Sequence, residues 1–320
     1  MRRLFFFFQI SVLASVLLCQ FMMADYKQAV AYYNQGRYEK AIQELKPDMD
    51  RNPEWEFGHR LLGLSYLSLN NNALAEVELS RAVELKSTAY SAYYGLAQAY
   101  YNQKKFEDCI SALNKGEQFI ANETEQVKEK SYRLRGSAYY QVGKYAEAAI
   151  NLTNAIRLNP SNWADFSMLG IAYFKLDRLD EAIQSLEKSL SMKPGEQTTS
   201  EVLSKIFLKK GVSALSDKHY KAAVQALLKA KDHDPKNGYV YFNLAEAYLF
   251  EKKYPDAEAA LIQAVDLMPE NREIYERLGL IYEKQKKWER ALDAYQKAEG
   301  ISPSKATKES ITRVKENMKQ

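Results

Sequence analysis

Residues 163–194 read WADFSMLGIAYFKLDRLDEAIQSLEKSLSMKP, and the fold is decided by this stretch. Leu169 and Tyr173 are four residues apart and Gly170 and Tyr173 three apart, so the three share one face of a helix. Nine residues after Tyr173 comes Ala182, four further on Leu186, and Pro194 closes the stretch. A small residue lets two helices approach closely, an alanine does the same from the second helix, and the tyrosine ring fills the volume between them, its hydroxyl reaching the edge. The late proline stops the second helix and starts the link onward. The stretch predicts a helical hairpin.

The same grammar recurs along the chain. The small residue is Ala29, Gly63, Ala97, Gly136, Gly170, Gly211, Ala245 and Gly279, and three positions later stand Tyr32, Tyr66, Tyr100, Tyr139, Tyr173, Ala214, Tyr248 and Tyr282. The alanine position holds Ala41, Ala75, Cys109, Ala148, Ala182, Ala223, Ala257 and Ala291. The spacing is 34 residues except for five extra before the fourth unit and seven before the sixth. These insertions either lengthen helices or alter the superhelix pitch. Short stretches such as Gln35-Gly36-Arg37 and Val142-Gly143-Lys144 make the turn inside each unit. One hairpin cannot bury its apolar face alone, so neighbouring units stack.

These residues resemble the tetratricopeptide-repeat (TPR) family over residues 22–305. The resemblance implies an all-α, right-handed α-solenoid of about eight helical hairpins, at residues 22–55, 56–89, 90–123, 129–162, 163–196, 204–237, 238–271 and 272–305. A capping helix over 306–320 would place Ile311, Val314 and Met318 on one face and cover the last apolar surface. Asp48 stands where the family has a small residue, which is expected to loosen the end of the first repeat.

Residues 4–24, LFFFFQISVLASVLLCQFMMA, form an almost uncharged apolar run behind Arg2 and Arg3. Positive, apolar, then small is the order of a secretory signal, with cleavage after Ala24. Two other readings stand beside it: an uncleaved anchor over residues 4–23, and lipidation at Cys19, although Leu18 is larger than that signal prefers. Export to the periplasm or envelope, or membrane anchoring, is therefore expected, with contact to membrane only through this leader. Asp25 is placed to cap the first repeat helix.

With 45 basic and 41 acidic residues the net charge is +4, which makes no electrostatic case for nucleic acid. His59, His219 and His233 lie in different units; the Asp232-His233-Asp234 run is read as a solvated turn and not a metal site. Cys109 sits at the alanine position and is read as a small core residue, with no base placed to activate it. No glycine-rich phosphate loop occurs. No catalytic residue, metal or cofactor is expected.

The resemblance implies that the first helices of successive repeats line a concave groove. The position after the signature tyrosine then forms a ladder: Tyr33, Leu67, Tyr101, Tyr140, Phe174, Leu215, Leu249 and Glu283. A second groove position includes Tyr94, Arg133 and Phe242. An apolar, tyrosine-rich groove with a few arginines suits a helix or extended segment with apolar anchors and some acidic character, although the same residues could simply pad the interior. The lysine/asparagine clamp of the family's chaperone-tail binders is missing, since the first repeat offers Tyr26 and Val30 there. The expected function is a protein- or peptide-binding scaffold; the alternative is a regulatory or substrate-recruiting subunit of a separately encoded modifying enzyme.

Overall fold

The computed structural model describes residues 26–319, so the leader and Asp25 lie outside the described residues. Seventeen α-helices, one short 3-10 helix and no strand make up the described chain. It divides into two compact units, up to Leu176 and from Asp177 onward.

The first unit holds α1 (26–34), α2 (Tyr38–Arg51), α3 (Glu56–Ser68), α4 (Asn72–Glu84), α5 (Tyr90–Asn102), α6 (Phe106–Gly116), the 3-10 turn η1 (Glu117–Asn122), α7 (Glu125–Gln141), α8 (Tyr145–Leu158) and α9 (Trp163–Lys175). The second holds α10 (Leu179–Met192), α11 (Gln197–Ser216), α12 (Tyr220–His233), α13 (Gly238–Phe250), α14 (Tyr254–Leu267), α15 (Arg272–Lys284), α16 (Trp288–Ile301) and α17 (Lys305–Asn317). Within the units, α3, α5, α7, α11, α13 and α15 each pack antiparallel on the helix that follows. In the first unit α3, α5, α7 and α9 also touch in series, which makes the first helices the inner layer there.

The close approach foreseen for the small residue has a specific partner. It faces the leucine four residues beyond the alanine of the second helix: a Cβ added to Gly63 would lie 2.6 Å from Leu79 Cγ, and one added to Gly211 2.6 Å from Leu227 Cγ. In the last repeat the leucine is replaced by buried Tyr295, and Gly279 lies under its ring.

Every hairpin turn uses one left-handed residue: Gly36, Asn70, Lys104, Gly143, Asp177, Lys218, Lys252 and Lys286, with φ between 59° and 77°. In the repeats for which the bonds are defined, this residue's N–H reaches back three residues, and the next N–H reaches the carbonyl of the signature tyrosine, as in Arg37 to Tyr32, Lys105 to Tyr100 and Lys287 to Tyr282. That pair of bonds is a Schellman stop, which satisfies the carbonyls a helix end leaves open. Ala214 accepts the same bond from His219 at 2.8 Å, so loss of the tyrosine ring leaves the turn intact. The following side chain then lies over the tyrosine face: Arg37 over Tyr32 at 4.6 Å, Lys105 over Tyr100 at 5.7 Å and Lys253 over Tyr248 at 5.9 Å.

The prolines act where expected. Pro160, Pro235 and Pro269 follow the ends of α8, α12 and α14, and two residues later Asn162, Asn237 and Asn271 cap the next helix by accepting backbone N–H bonds of 3.0–3.2 Å. Asp48 does not end α2 early: the helix runs through Arg51, whose guanidinium binds the buried Asp48 carboxylate at 3.1 Å. In α17, Val314 is buried against Ala291 and Tyr295 and Ile311 packs beside it, whereas Met318 terminates the helix and is exposed, so the apolar face is shorter than the spacing suggests.

Both insertions lengthen a first helix. The regular first helices α3, α5, α9, α13 and α15 have 13 residues each. α11 has 20, the difference being the seven inserted residues. α7 has 17, and the remaining change falls where α6 shortens to 11 residues and passes into η1.

Candidate partner-binding surface

The ladder residue follows the signature tyrosine, so it stands five positions before the first residue of the second helix, across the left-handed turn. That geometry turns each ring edge-on to its neighbour. Tyr33 meets Tyr38 at 5.5 Å, Tyr101 meets Phe106 at 5.3 Å and Tyr140 meets Tyr145 at 5.6 Å between centroids. These T-shaped pairs are a preferred aromatic arrangement. One side of each ring is thus spent on its own hairpin, and the other side remains at the surface.

All ten predicted residues are half-buried. In the first unit, Leu67, Tyr94 and Tyr101 gather around one core cluster built on Leu79, Leu96 and Leu113, with Leu64 beside them. Tyr33 packs on the Leu45–Leu62 cluster, and Tyr140 sits with Met168 on the Leu152–Leu169 cluster. Phe174 is half-buried near the end of α9. In the second unit Leu215 packs with Leu208 around Leu227, and Phe242 and Leu249 pack around Leu261. Burial raises the pKa of the Tyr33, Tyr94, Tyr101 and Tyr140 phenols, with Ser68 partly offsetting it at Tyr33 and Ser137 at Tyr101. These phenols are therefore neutral hydrogen-bonding groups at any physiological pH.

Arg133 takes a different role from the one its register suggests. Its guanidinium binds Asp165 at 2.7 and 3.0 Å and also pairs with Glu129. Both carboxylates are buried, so the arginine is committed to neutralising them and does not offer a free cation to an acidic partner. Burial raises the Asp165 pKa and Arg133 pulls it back.

The other candidates for chemistry resolve as structure. Burial pushes the Cys109 thiol up to about 12. The Asp232–Asp234 turn is not wholly solvated: the His233 imidazole is half-buried and lies face to face on Phe207 at 5.7 Å, and burial lowers its pKa. His59 bridges Glu78 at 2.7 Å and the Pro53 carbonyl at 2.9 Å. Among the described residues no group of His, Cys, Asp and Glu could hold a metal, and no helix is long and apolar enough to cross a membrane.

Two features went unread in the sequence. The asparagine caps were visible as Pro-x-Asn before three first helices. The buried ion network was signalled by Asp165 itself, the one carboxylate at a register position otherwise held by Gly58, Ala92, Ser131, Ile206, Val240 and Ile274.

Tetratricopeptide-repeat profiles match residues 60–118, 133–196 and 242–306, and a second such profile matches 23–46. The chain belongs to the tetratricopeptide-repeat family. It is 24% identical over 216 residues to the Hsp70-Hsp90 organizing protein 3 of Arabidopsis thaliana, covering 66% of this chain and 36% of that protein. It is 29% identical over 161 residues to a TPR repeat-containing protein of Methanocaldococcus jannaschii, covering 38% and 28%. The chain thus spans about a third of the length of the curated relatives it matches. Among solved structures, that of Naa15/Naa10 bound to HypK superposes with a TM-score of 0.57 at 20% identity, over 90% of this chain and 43% of that one, a likeness of fold. Proteins of the tetratricopeptide-repeat family are generally protein-interaction scaffolds.

Proposed function

We propose that the chain is a non-catalytic, extracytoplasmic scaffold that holds a segment of another protein against the inner faces of its first helices. The observation that carries this reading is the ladder of half-buried aromatic and aliphatic side chains, repeated at one position in seven repeats. Rigid aromatics with one side already packed lose little conformational entropy on binding, which makes them efficient anchors. Because Arg133 is internally paired, the ligand is recognised through apolar anchors and phenol hydrogen bonds more than through acidic groups. Tyr26 and Val30 stand where the family's tail-binding clamp would be, so the ligand is an internal segment and not a terminal carboxylate.

The test is crosslinking pull-down from the native host with the chain and its Tyr140→Ala, Phe174→Ala double variant, checked for unchanged helicity by circular dichroism. Loss of captured proteins supports the groove; an unchanged set overturns it. The extracytoplasmic part is tested separately by protease protection in whole cells and the mass of the N-terminus. An unprocessed, cytosolic product would sink that part alone.

A further inference from the structure

In the second unit the three left-handed turn positions at 34-residue spacing are Lys218, Lys252 and Lys286. A lysine there costs more than glycine, because its Cβ crowds the following carbonyl. The first unit uses glycine at two of its four turns and asparagine at a third. The side chains of all three lysines are exposed, and their ammonium groups have no ion-pair or hydrogen-bond partner among the described residues. Lys221 and Lys284 on the same edge are equally exposed and unpaired.

The turns lie side by side. Tyr220, beside the first turn, stacks on Phe250 of the next at 4.8 Å and 9°, and Lys287 reaches back to Glu258 of the preceding repeat at 3.2 Å. Phe250 is 53% exposed at a position that holds a polar residue in every other repeat (Asn34, Ser68, Asn102, Gln141, Lys175, Ser216 and Lys284). Met318 is 42% exposed and shares a shallow surface cleft with Lys286, Lys287 and Trp288.

We infer that this turn edge of the second unit docks on an anionic lipid surface. The lysines are carried on three successive exposed turns. Acidic peptides are read by clustered arginines that fork onto their carboxylates or phosphates, whereas lysines spread over three neighbouring turns can meet a charged plane together. Unpaired lysines among exposed aromatic and thioether side chains match the charge and depth profile of a bilayer interface, with long stems reaching the headgroups and the rings lying at the boundary. This membrane contact is separate from any made by the apolar leader.

The test uses the full chain and its Lys218→Gly, Lys252→Gly, Lys286→Gly triple variant in flotation with phosphatidylglycerol and with phosphatidylcholine vesicles. Glycine relieves the left-handed strain, so the variant folds at least as stably as the parent and a loss of binding cannot be blamed on unfolding. We expect the parent to prefer phosphatidylglycerol, and the triple variant to bind it about a hundredfold more weakly at low salt. Phe250→Ala weakens it further. A leader-driven interaction, Arg2 and Arg3 included, would be indifferent to the turn lysines, and equal partition of the parent into the two vesicle types overturns the inference. So does undiminished phosphatidylglycerol binding by the triple variant.

Discussion

At the start of α7 the added turn is met by charge and aromatic rings; at the start of α11 it is met by apolar side chains and hydroxyls. In the first unit η1 closes over Tyr90 and Tyr93, with Phe119 stacked on Tyr93 at 5.4 Å and the Tyr90 hydroxyl bonded to Ser131. Beside it Arg135 pairs with Glu117, and Arg133 with Glu129 and Asp165. In the second unit Leu203, Ile206 and Phe207 are buried, Glu196 caps the helix through Thr199 at 2.7 Å, and Ser204 donates to the Ala230 carbonyl at 2.8 Å. Both solutions bury an overlong helix. They differ in what happens when one partner is lost: an apolar face loses contact area, whereas an ionic seam is left holding uncompensated charge.

The largest expected effect is a reactivity contrast. In a Cys19→Ser background, the buried Cys109 thiol should be alkylated about a thousandfold more slowly at pH 8 in the native chain than in urea, given its raised pKa and lack of access. Rapid native alkylation would mean that the first unit opens freely and that its seam is not tight.

Phe207→Ala should cost the second unit about 3–4 kcal/mol, read as a lower urea midpoint. It also removes the ring that shields His233, so the His233 pKa should rise toward its ordinary value in an NMR titration. The sign follows from the wild type. A histidine with a lowered folded pKa gives stability that is present at high pH and lost as pH falls through its unfolded value towards the folded one. The acid sensitivity of the second unit should therefore decrease in the variant.

Arg133→Met should cost about 3 kcal/mol by stranding two buried carboxylates. Asp165 already binds its proton more readily folded than unfolded, so its contribution shrinks as pH climbs from the unfolded pKa to the folded one. The variant should lose more stability at pH 8 than at pH 4, and adding Glu129→Gln and Asp165→Asn should restore most of it. A loss that is flat with pH would show that Arg133 contributes by packing alone.

The seam and the regular repeats were not equally legible. Gly170, Tyr173, Ala182 and their counterparts could be read because one register serves eight hairpins, and each copy corroborates the others. Arg133 was misread for the same reason. Register assigned it to the binding surface, while its partner Asp165 lies 32 residues on in the next repeat, where a local pattern does not look. The ladder positions were legible as side chains but not as pairs, since Tyr140 meets Tyr145 only once the left-handed turn has brought the second helix back. The lengthening of α11 follows from residues 197–203, where Thr199 and Leu203 continue the buried face of the helix by one further turn.

The smallest expected effect concerns the turns. Lys104→Gly should stabilise the first unit by about 0.5–1 kcal/mol, because it relieves a left-handed lysine where two sister turns already use glycine. Gly143→Lys should reverse the sign with a similar magnitude. If neither moves the melting temperature, the lysine turns of the second unit carry no strain.

The Schellman stop has a consequence for how such a chain can change length. Where the bonds are defined, it closes the end of the first helix by two backbone bonds, one to the carbonyl at the signature position and one to the carbonyl after it, and in several repeats by a cation over the tyrosine ring, so that end cannot accept or lose a residue without breaking the hairpin. The opposite end has no side-chain cap in α3 and α5, and in later repeats one that Asn, Thr or Glu supplies, as Asn162, Thr124 and Glu196 do. Insertions are therefore admitted at one end of the first helix, and both are found there. For recombination or engineering, the interchangeable cassette runs from one first-helix cap to the next, and the splice points lie just ahead of the caps.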